Sequence, residues 1–191
     1  MACNRELTDG ILHDCNTNPK KGIDSGKAVL INYDDIDRAA TVVNGATVNI
    51  QLKAGKAGFP LQWYKDLANA SGTYVPSTEN QDGFSHAFMC RLATTSATNA
   101  ERSKELKNGR FVIAYETRFK GVDKLDAFKL GGFENGLRLS EMVTDAAQNS
   151  GSITFTISTE EGDFEEYPYH IFLETDYDVS RASFDALFAE V

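Results

Sequence analysis

Alternation of apolar and polar residues is the feature that most constrains the fold of this 191-residue chain. In "GSITFTIST", the apolar Ile153, Phe155 and Ile157 alternate with hydroxyl-bearing residues. This period of two is typical of a half-buried β-strand, because successive side chains of a strand point to opposite faces. "ATVNIQLKAG" and "RFVIAYETRF" repeat the pattern, and "AVLINY" and "YPYHIFLE" are apolar runs of strand length. The sequence therefore predicts a mainly β protein.

The segment "FSHAFMCRL", residues 84–92, fits either a strand or a helix. In a helix, His86 and Cys90 would be neighbours one turn apart and could act as base and nucleophile. In a strand they would be roughly 13 Å apart and could not touch. The turn signal Asp82-Gly83 that precedes the segment favours the strand.

Two segments are predicted to be helical. "TNAERSKELKNG" offers Thr98 or Asn99 as an N-cap and Gly109 as the end of a short helix. "VSRASFDALFAEV" offers Ser180 as an N-cap. Its apolar stripe comprises Phe184, Leu187, Phe188 and Val191, at helical spacing. With seven or eight short strands, these helices predict a single β-sandwich or barrel spanning residues 1–191.

"KLGGFENGLRL" contains Gly131, Gly132 and Gly136 and raises the question of whether this stretch holds a phosphate or turns the chain. A phosphate loop needs a following helix and usually a Lys-Ser/Thr pair, and neither follows here. We expect a sharp connection between a strand that ends near Leu130 and one that carries Leu137, with glycines supplying positive φ angles.

The polar segment "NASGTYVPSTENQDG", residues 69–83, is predicted to be a long loop. Tyr74, Val75 and Pro76 form an apolar group within it, which favours burial against a neighbouring molecule.

The net charge disfavours one class of function. The chain has 19 basic and 28 acidic residues, a net charge of −9 and a pI near 4.8, which disfavours a protein that reads DNA or RNA sequence.

No stretch approaches 18 apolar residues, and "MACNRELTDG" lacks the apolar core of a signal peptide. The expectation is a protein made or assembled in the cytoplasm, with no membrane partner.

The cysteines Cys3, Cys15 and Cys90 are odd in number and lack a C-x-x-C spacing, which predicts free thiols. His13 lies near Cys3 and Cys15, but a structural zinc site needs four ligands and the remaining histidines are far along the chain. The sequence predicts neither a metal site nor a cofactor.

No enzymatic motif emerges, and we expect no catalytic residues. A cluster after Thr159 offers five carboxylates to a glycosidase, but their crowding predicts a solvated turn. These are Glu160, Glu161, Asp163, Glu165 and Glu166. A G-x-S-x-G elbow is absent, and His13 and His170 are predicted to be surface or core residues.

An aromatic pair, Trp63 with Tyr64, could stack on a sugar. However, Phe59, Leu61 and Trp63 alternate, which predicts core positions instead.

Several segments together resemble virion structural proteins of tailed phages and prophages of Bacteroidetes, and among these the tail tube (major tail) proteins most. They are "DGILHDCNTNPKKGIDSGKAVLINYDDID", "ATVNIQLKAGKAGF", "ELKNGRFVIAYE", "LGGFENGLRL", "TDAAQNSG", "SITFTIST" and "YHIFLETD". The resemblance lies in the order and character of these segments, and it carries over no functional residue.

The resemblance implies one β-sandwich or barrel that stacks as hexameric rings around a channel, with other tail proteins as partners and DNA as non-specific cargo. It implies a location in the virion tail after assembly in the host cytoplasm. The negative charge suits a conduit from which DNA phosphates are repelled. Another virion component (head–tail joining, baseplate or capsid decoration) and a carbohydrate-binding β-sandwich or enzyme are the alternatives.

Overall fold

A computed structural model of the chain describes residues 7, 9–12, 20–63, 67–77, 82–92, 96–147 and 151–188. The strands are β1 (Ile23–Asn32), β2 (Val42–Asn44), β3 (Thr47–Asn49), β4 (Phe59–Leu61), β5 (Ala68–Val75), β6 (Gly83–Leu92), β7 (Phe111–Thr117), β8 (Phe128–Gly131), β9 (Arg138–Thr144), β10 (Ile153–Ser158) and β11 (His170–Phe172). The helices are α1 (Ala97–Glu105) and α2 (Tyr177–Ala186).

The strands form two sheets. One has the order β2-β3-β11-β8-β7-β1-β4 and the other β5-β6-β10-β9. Every pairing is antiparallel except that of β3 with β11. Each sheet keeps two edges, so the mainly β prediction is confirmed as a sandwich and not as a closed barrel. The strand count exceeds seven or eight because four strands have only three residues.

Alternation within the central strands builds three layers. In β1, Val29 and Ile31 belong to the core beneath α2, whereas Ala28 and Leu30 belong to the core between the two sheets. Both faces of β1 are therefore buried over Ala28–Ile31, which explains why these four residues form a continuous apolar run.

The N-cap of helix α1 lies two or three residues before the predicted positions, Thr98 or Asn99. Ser96 is the N-cap, and its hydroxyl accepts the Asn99 N–H at 3.2 Å, so Thr98 and Asn99 lie inside the helix. The predicted end is confirmed, since a 3-10 turn continues from α1 and stops before Gly109.

The N-cap predicted for α2 was wrong. Asp176 caps this helix through a 2.9 Å hydrogen bond from the Val179 N–H, while Ser180 is buried inside the helix and accepts the Glu174 N–H. Phe184 and Leu187 are buried as predicted, and Phe188 packs partly buried against the same core. Val191 lies outside the described residues.

The prediction of a long loop over residues 69–83 was wrong for its first half. Strand β5 occupies this part and pairs with β6 along the whole length of β5. The inward positions of β5 hold Ala68, Ala70 and Gly72, whose small size hides the alternation from a hydropathy pattern. Gly72 is required by packing, since a Cβ there would lie 1.9 Å from the Pro168 carbonyl oxygen. Residues 78–81 lie outside the described part.

The core positions predicted in segment 59–63 are confirmed for Leu61 and Trp63 and wrong for Phe59. Leu61 and Trp63 pack against the core between the sheets, whereas Phe59 lies on the edge strand β4 and is 54% exposed.

Candidate functional site

The glycine-rich segment turns the chain between β8 and β9. Gly132 and Gly136 have φ angles of +72° and +79°, whereas Gly131 belongs to β8. A Cβ on Gly132 would lie 2.5 Å from Leu137 Cγ, so both conformation and packing require glycine there.

The backbone of this turn is bound by surrounding side chains. The two carboxylate oxygens of Glu165 accept the N–H groups of Glu134 and Asn135 at 2.9 and 2.8 Å. Arg38 and Arg110 donate to the carbonyls of Phe133 and Asn135 at 2.7 and 2.6 Å, and Tyr33 donates to that of Glu134. The N–H groups that an anion would need are therefore occupied by a carboxylate, which argues against a phosphate loop.

Glu165 contradicts the prediction of a fully solvated acidic turn. Its side chain is completely buried, and burial raises the pKa of its carboxyl group. Arg38 and Arg110 oppose that shift by electrostatic attraction. Glu160, Glu161, Asp163 and Glu166 are exposed as predicted. With both oxygens of Glu165 bound to backbone, this residue is a structural anchor and not an available acid or base.

The two described histidines are core residues. Gly132 donates its N–H to Nδ1 of His86 at 3.1 Å, so Nε2 of His86 carries the proton and donates to the Tyr167 carbonyl at 2.8 Å. Burial lowers the pKa of His86. Strand β6 separates His86 from Cys90, whose pKa burial raises to about 12, so the two form no base–nucleophile pair.

His170 is buried between Phe133 and Tyr167, with ring centroids 5.2 and 5.3 Å away. Its Nδ1 atom has no hydrogen-bond partner among the described residues, and its Nε2 lies 3.6 Å from Glu134 Oε1. Burial lowers the pKa of His170 to about 4. It therefore stays neutral at physiological pH.

An open acidic groove of about 400 Å³ lies beside the turn. It is lined by Asp82, Gly83, Glu134, Gly162, Phe164, Glu165 and Glu166. Within the described residues, no three histidine, cysteine or acidic side chains are grouped to hold a metal ion. The possible metal ligands that lie close together in the sequence are outside those residues: Cys3, His13 and Cys15.

A smaller cavity of about 110 Å³ lies between the sheets, beneath the segment Pro168–Tyr169. Its polar wall carries Tyr115 and Lys129, which face each other across the β7–β8 pairing. This cavity could not be predicted from the sequence, because its walls come from four strands and two loops.

The sheet edges carry exposed apolar side chains. These are Val42 and Val43 on β2, Phe59 on β4, Tyr74 on β5 and Val143 on β9. Isolated exposed apolar residues are common, but their placement on all four edges puts them beside unpaired backbone groups.

The edges differ in how well they are protected against pairing. Strand β2 has three residues. Strand β4 contains Pro60, and Gly58 just before it donates its N–H to the Leu187 carbonyl at 2.6 Å. Strand β9 carries Arg138, Glu141 and a bulge. Strand β5 has eight residues with neither a charge nor a proline. It therefore lacks two of the devices that usually block edge-to-edge association, a charged side chain and a proline.

The outward backbone groups follow from the hydrogen-bond pattern. The Arg91 N–H donates to the Leu67 carbonyl, so alternate residues from Leu67 onward bond to β6 and the residues between them point away. Ala68, Ala70, Gly72 and Tyr74 thus present their backbone to the free edge of β5. The same counting from the Thr159–His86 bond places Met142 and Thr144 at the free edge of β9.

No helix in the described part of the chain is long and apolar enough to cross a membrane. Comparison with protein-family models, with curated proteins and with solved structures finds no match to this chain.

Proposed function

We propose that this chain is a virion structural protein that self-assembles, and that it forms the stacked rings of a phage tail tube. The position of β5 at a sheet edge is the observation that carries the proposal, because a long uncharged edge strand is a template for pairing with another chain. The resemblance of the sequence to tail tube proteins supports the same function, and so does a charge of −9 in a conduit for DNA.

Strand direction supports β9 of the next copy as the partner of β5. The four-stranded sheet is antiparallel throughout, so β5 and β9 at its two edges run in opposite directions. A copy placed beside another in the same orientation therefore brings β9 antiparallel to β5. Such a head-to-tail contact joins two different surfaces and closes into a ring when the rotation permits.

The assembled protein would be a homo-oligomer in the virion tail, built in the host cytoplasm and bound to other tail proteins. The ring of six is the number that the resemblance implies. DNA would pass through the ring as cargo without sequence recognition.

Substitution of Ala70 by proline tests the pairing. Ala70 has an outward N–H that bonds to no strand of its own sheet, so Ala70→Pro should leave the monomer folded while removing a donor from the free edge. We expect sedimentation velocity to show monomers of Ala70→Pro, and rings or polymers of both the wild-type protein and the control Ala70→Ser. Polymers of Ala70→Pro would contradict the proposal.

A mixing experiment tests the head-to-tail arrangement. Thr144→Pro blocks the β9 edge at an exposed, outward position in the same way. Each variant alone should be monomeric, and an equimolar mixture should form a dimer and nothing larger, because one intact edge of each kind remains. A dimer of Thr144→Pro alone would indicate β5–β5 pairing instead.

Closed rings of wild-type protein that never stack would favour a head–tail joining or baseplate component.

A further inference from the structure

The cavity between the sheets contains two hydrogen-bond donors without acceptors. The Tyr115 hydroxyl and the Lys129 ammonium both line it, and neither has a hydrogen-bond partner among the described residues. The ammonium lies 3.9 Å from the centroid of the Tyr169 ring, a cation–π contact that leaves its N–H donors unmatched. Neither atom is fully enclosed by the described residues, so both can donate to a molecule that enters the cavity.

The electrostatics of the site favour a negative ligand. Burial lowers the pKa of Lys129, and electrostatic attraction by Asp126 opposes this shift. Burial, and then the charge of Tyr169, raises the pKa of Tyr115, which remains a neutral donor. His86 also borders the cavity, but both of its ring nitrogens are already bonded. The cavity thus offers a cation and a hydroxyl donor, and the described residues that line it include no carboxylate.

The rest of the wall limits the size and character of the ligand. Ala70, Ile113, Leu130 and Leu137 supply an apolar side, and Gly72 lies at the exposed edge strand. A volume of about 110 Å³ admits only a few non-hydrogen atoms, since a water molecule takes up about 30 Å³ in the liquid.

We propose that this cavity binds a short monocarboxylate of about the size of acetate. The carboxylate accepts hydrogen bonds from Lys129 and Tyr115, and the alkyl group lies against Ile113 and Leu137. This inference is independent of the proposed assembly, because every residue that it uses belongs to one copy.

Thermal unfolding in sodium acetate, with sodium chloride at the same ionic strength as reference, tests the proposal. A ligand that binds the folded state raises the unfolding midpoint as its concentration increases. The gain in the free energy of unfolding equals RT ln(1 + [L]/Kd). Lys129→Met should weaken the apparent affinity for acetate at least about tenfold, as expected for a lost charged hydrogen bond. Tyr115→Phe should weaken it less, and the control Lys124→Met, which removes an exposed lysine, should behave as wild type.

Nuclear magnetic resonance locates the ligand directly. The methyl group of ¹³C-labelled acetate should show nuclear Overhauser effects to the methyl groups of Ile113 and Leu137, and benzoate should be too large to compete. The same acetate dependence in Lys129→Met as in the wild type would overturn the proposal, as would the absence of any acetate-specific effect on the wild-type protein.

Discussion

At the scale of single residues, His170 is held neutral in a place where a protonated ring would have little support. It is buried against two aromatic rings, with one nitrogen unbonded and the other 3.6 Å from Glu134. Its pKa of about 4 lies below the ordinary value of 6.5. Between these values the unfolded chain binds a proton at this residue and the folded chain does not, so acid favours unfolding.

We predict that His170→Phe reduces the loss of stability between pH 6.5 and 4. His170 alone accounts for up to about 3 kcal/mol of that loss, because one pKa unit corresponds to about 1.4 kcal/mol. The raised pKa values of Glu134 and Glu165 act in the opposite sense, since the folded state takes up their protons first. Urea denaturation of both proteins across this pH range measures the difference. Parallel pH profiles of the two proteins would contradict the prediction, because they would show that His170 binds its proton equally well in the folded and the unfolded state.

Glu165 shows where sequence reasoning fails at this scale. In the sequence it is one of five neighbouring acids, and no local pattern distinguishes it from Glu161 or Glu166. Its burial depends on backbone N–H groups about thirty residues earlier, which the fold brings to its two oxygens. Such a contact is invisible to periodicity. The glycine turn that it binds was predicted, because φ requirements are local.

At the scale of elements, the strands with β-branched or aromatic alternation were predictable. Strands β7 and β10 were found because each has large apolar side chains on one face. Strand β5 was missed because its inward positions are filled by Ala68, Ala70 and Gly72, where the segment around Pro168 packs instead of large side chains. Edge pairing was equally hidden, since an open edge is a property of the sheet and not of the strand.

Helix α2 is predicted to be held to the sheet mainly by Phe184. This side chain is fully buried and stacks on Phe128 with ring centroids 4.8 Å apart. Phe184→Ala should lower the free energy of unfolding by about 3–5 kcal/mol, through lost apolar contact and a residual cavity. Denaturation of monomeric protein measures this, with the exposed Val179→Ala as a control that should change stability by less than about 0.5 kcal/mol. A loss below about 1 kcal/mol would mean that α2 is fixed by other contacts.

The other contacts of α2 centre on Glu116, which is buried at the end of β7. Its carboxylate accepts hydrogen bonds from Arg181 at 2.7 Å and from the Tyr177 hydroxyl at 3.1 Å, and it pairs with Lys120. Because buried ion pairs roughly balance their desolvation cost, we assign this group to orientation of the helix and the aromatic stack to stability.

At the scale of the whole molecule, charge opposes association while the proposed edge favours it. Every copy carries a net charge of −9, yet the strand β5 contains no charged residue. Edge pairing through backbone hydrogen bonds would therefore occur against a general repulsion between copies. Salt screens that repulsion, because the Debye length falls from about 10 Å at 0.1 M to about 3 Å at 1 M.

We predict that assembly of the wild-type protein increases with ionic strength. Sedimentation velocity at about 0.02 M and about 0.5 M sodium chloride should show more polymer at the higher salt, because repulsion is screened while backbone pairing is little affected. Ala70→Pro should remain monomeric at both, which separates edge pairing from salt-induced precipitation. Polymers that dissolve as salt rises would instead indicate an interface built on ion pairs. In that case the uncharged edge of β5 could not be the principal contact, although the protein would still assemble.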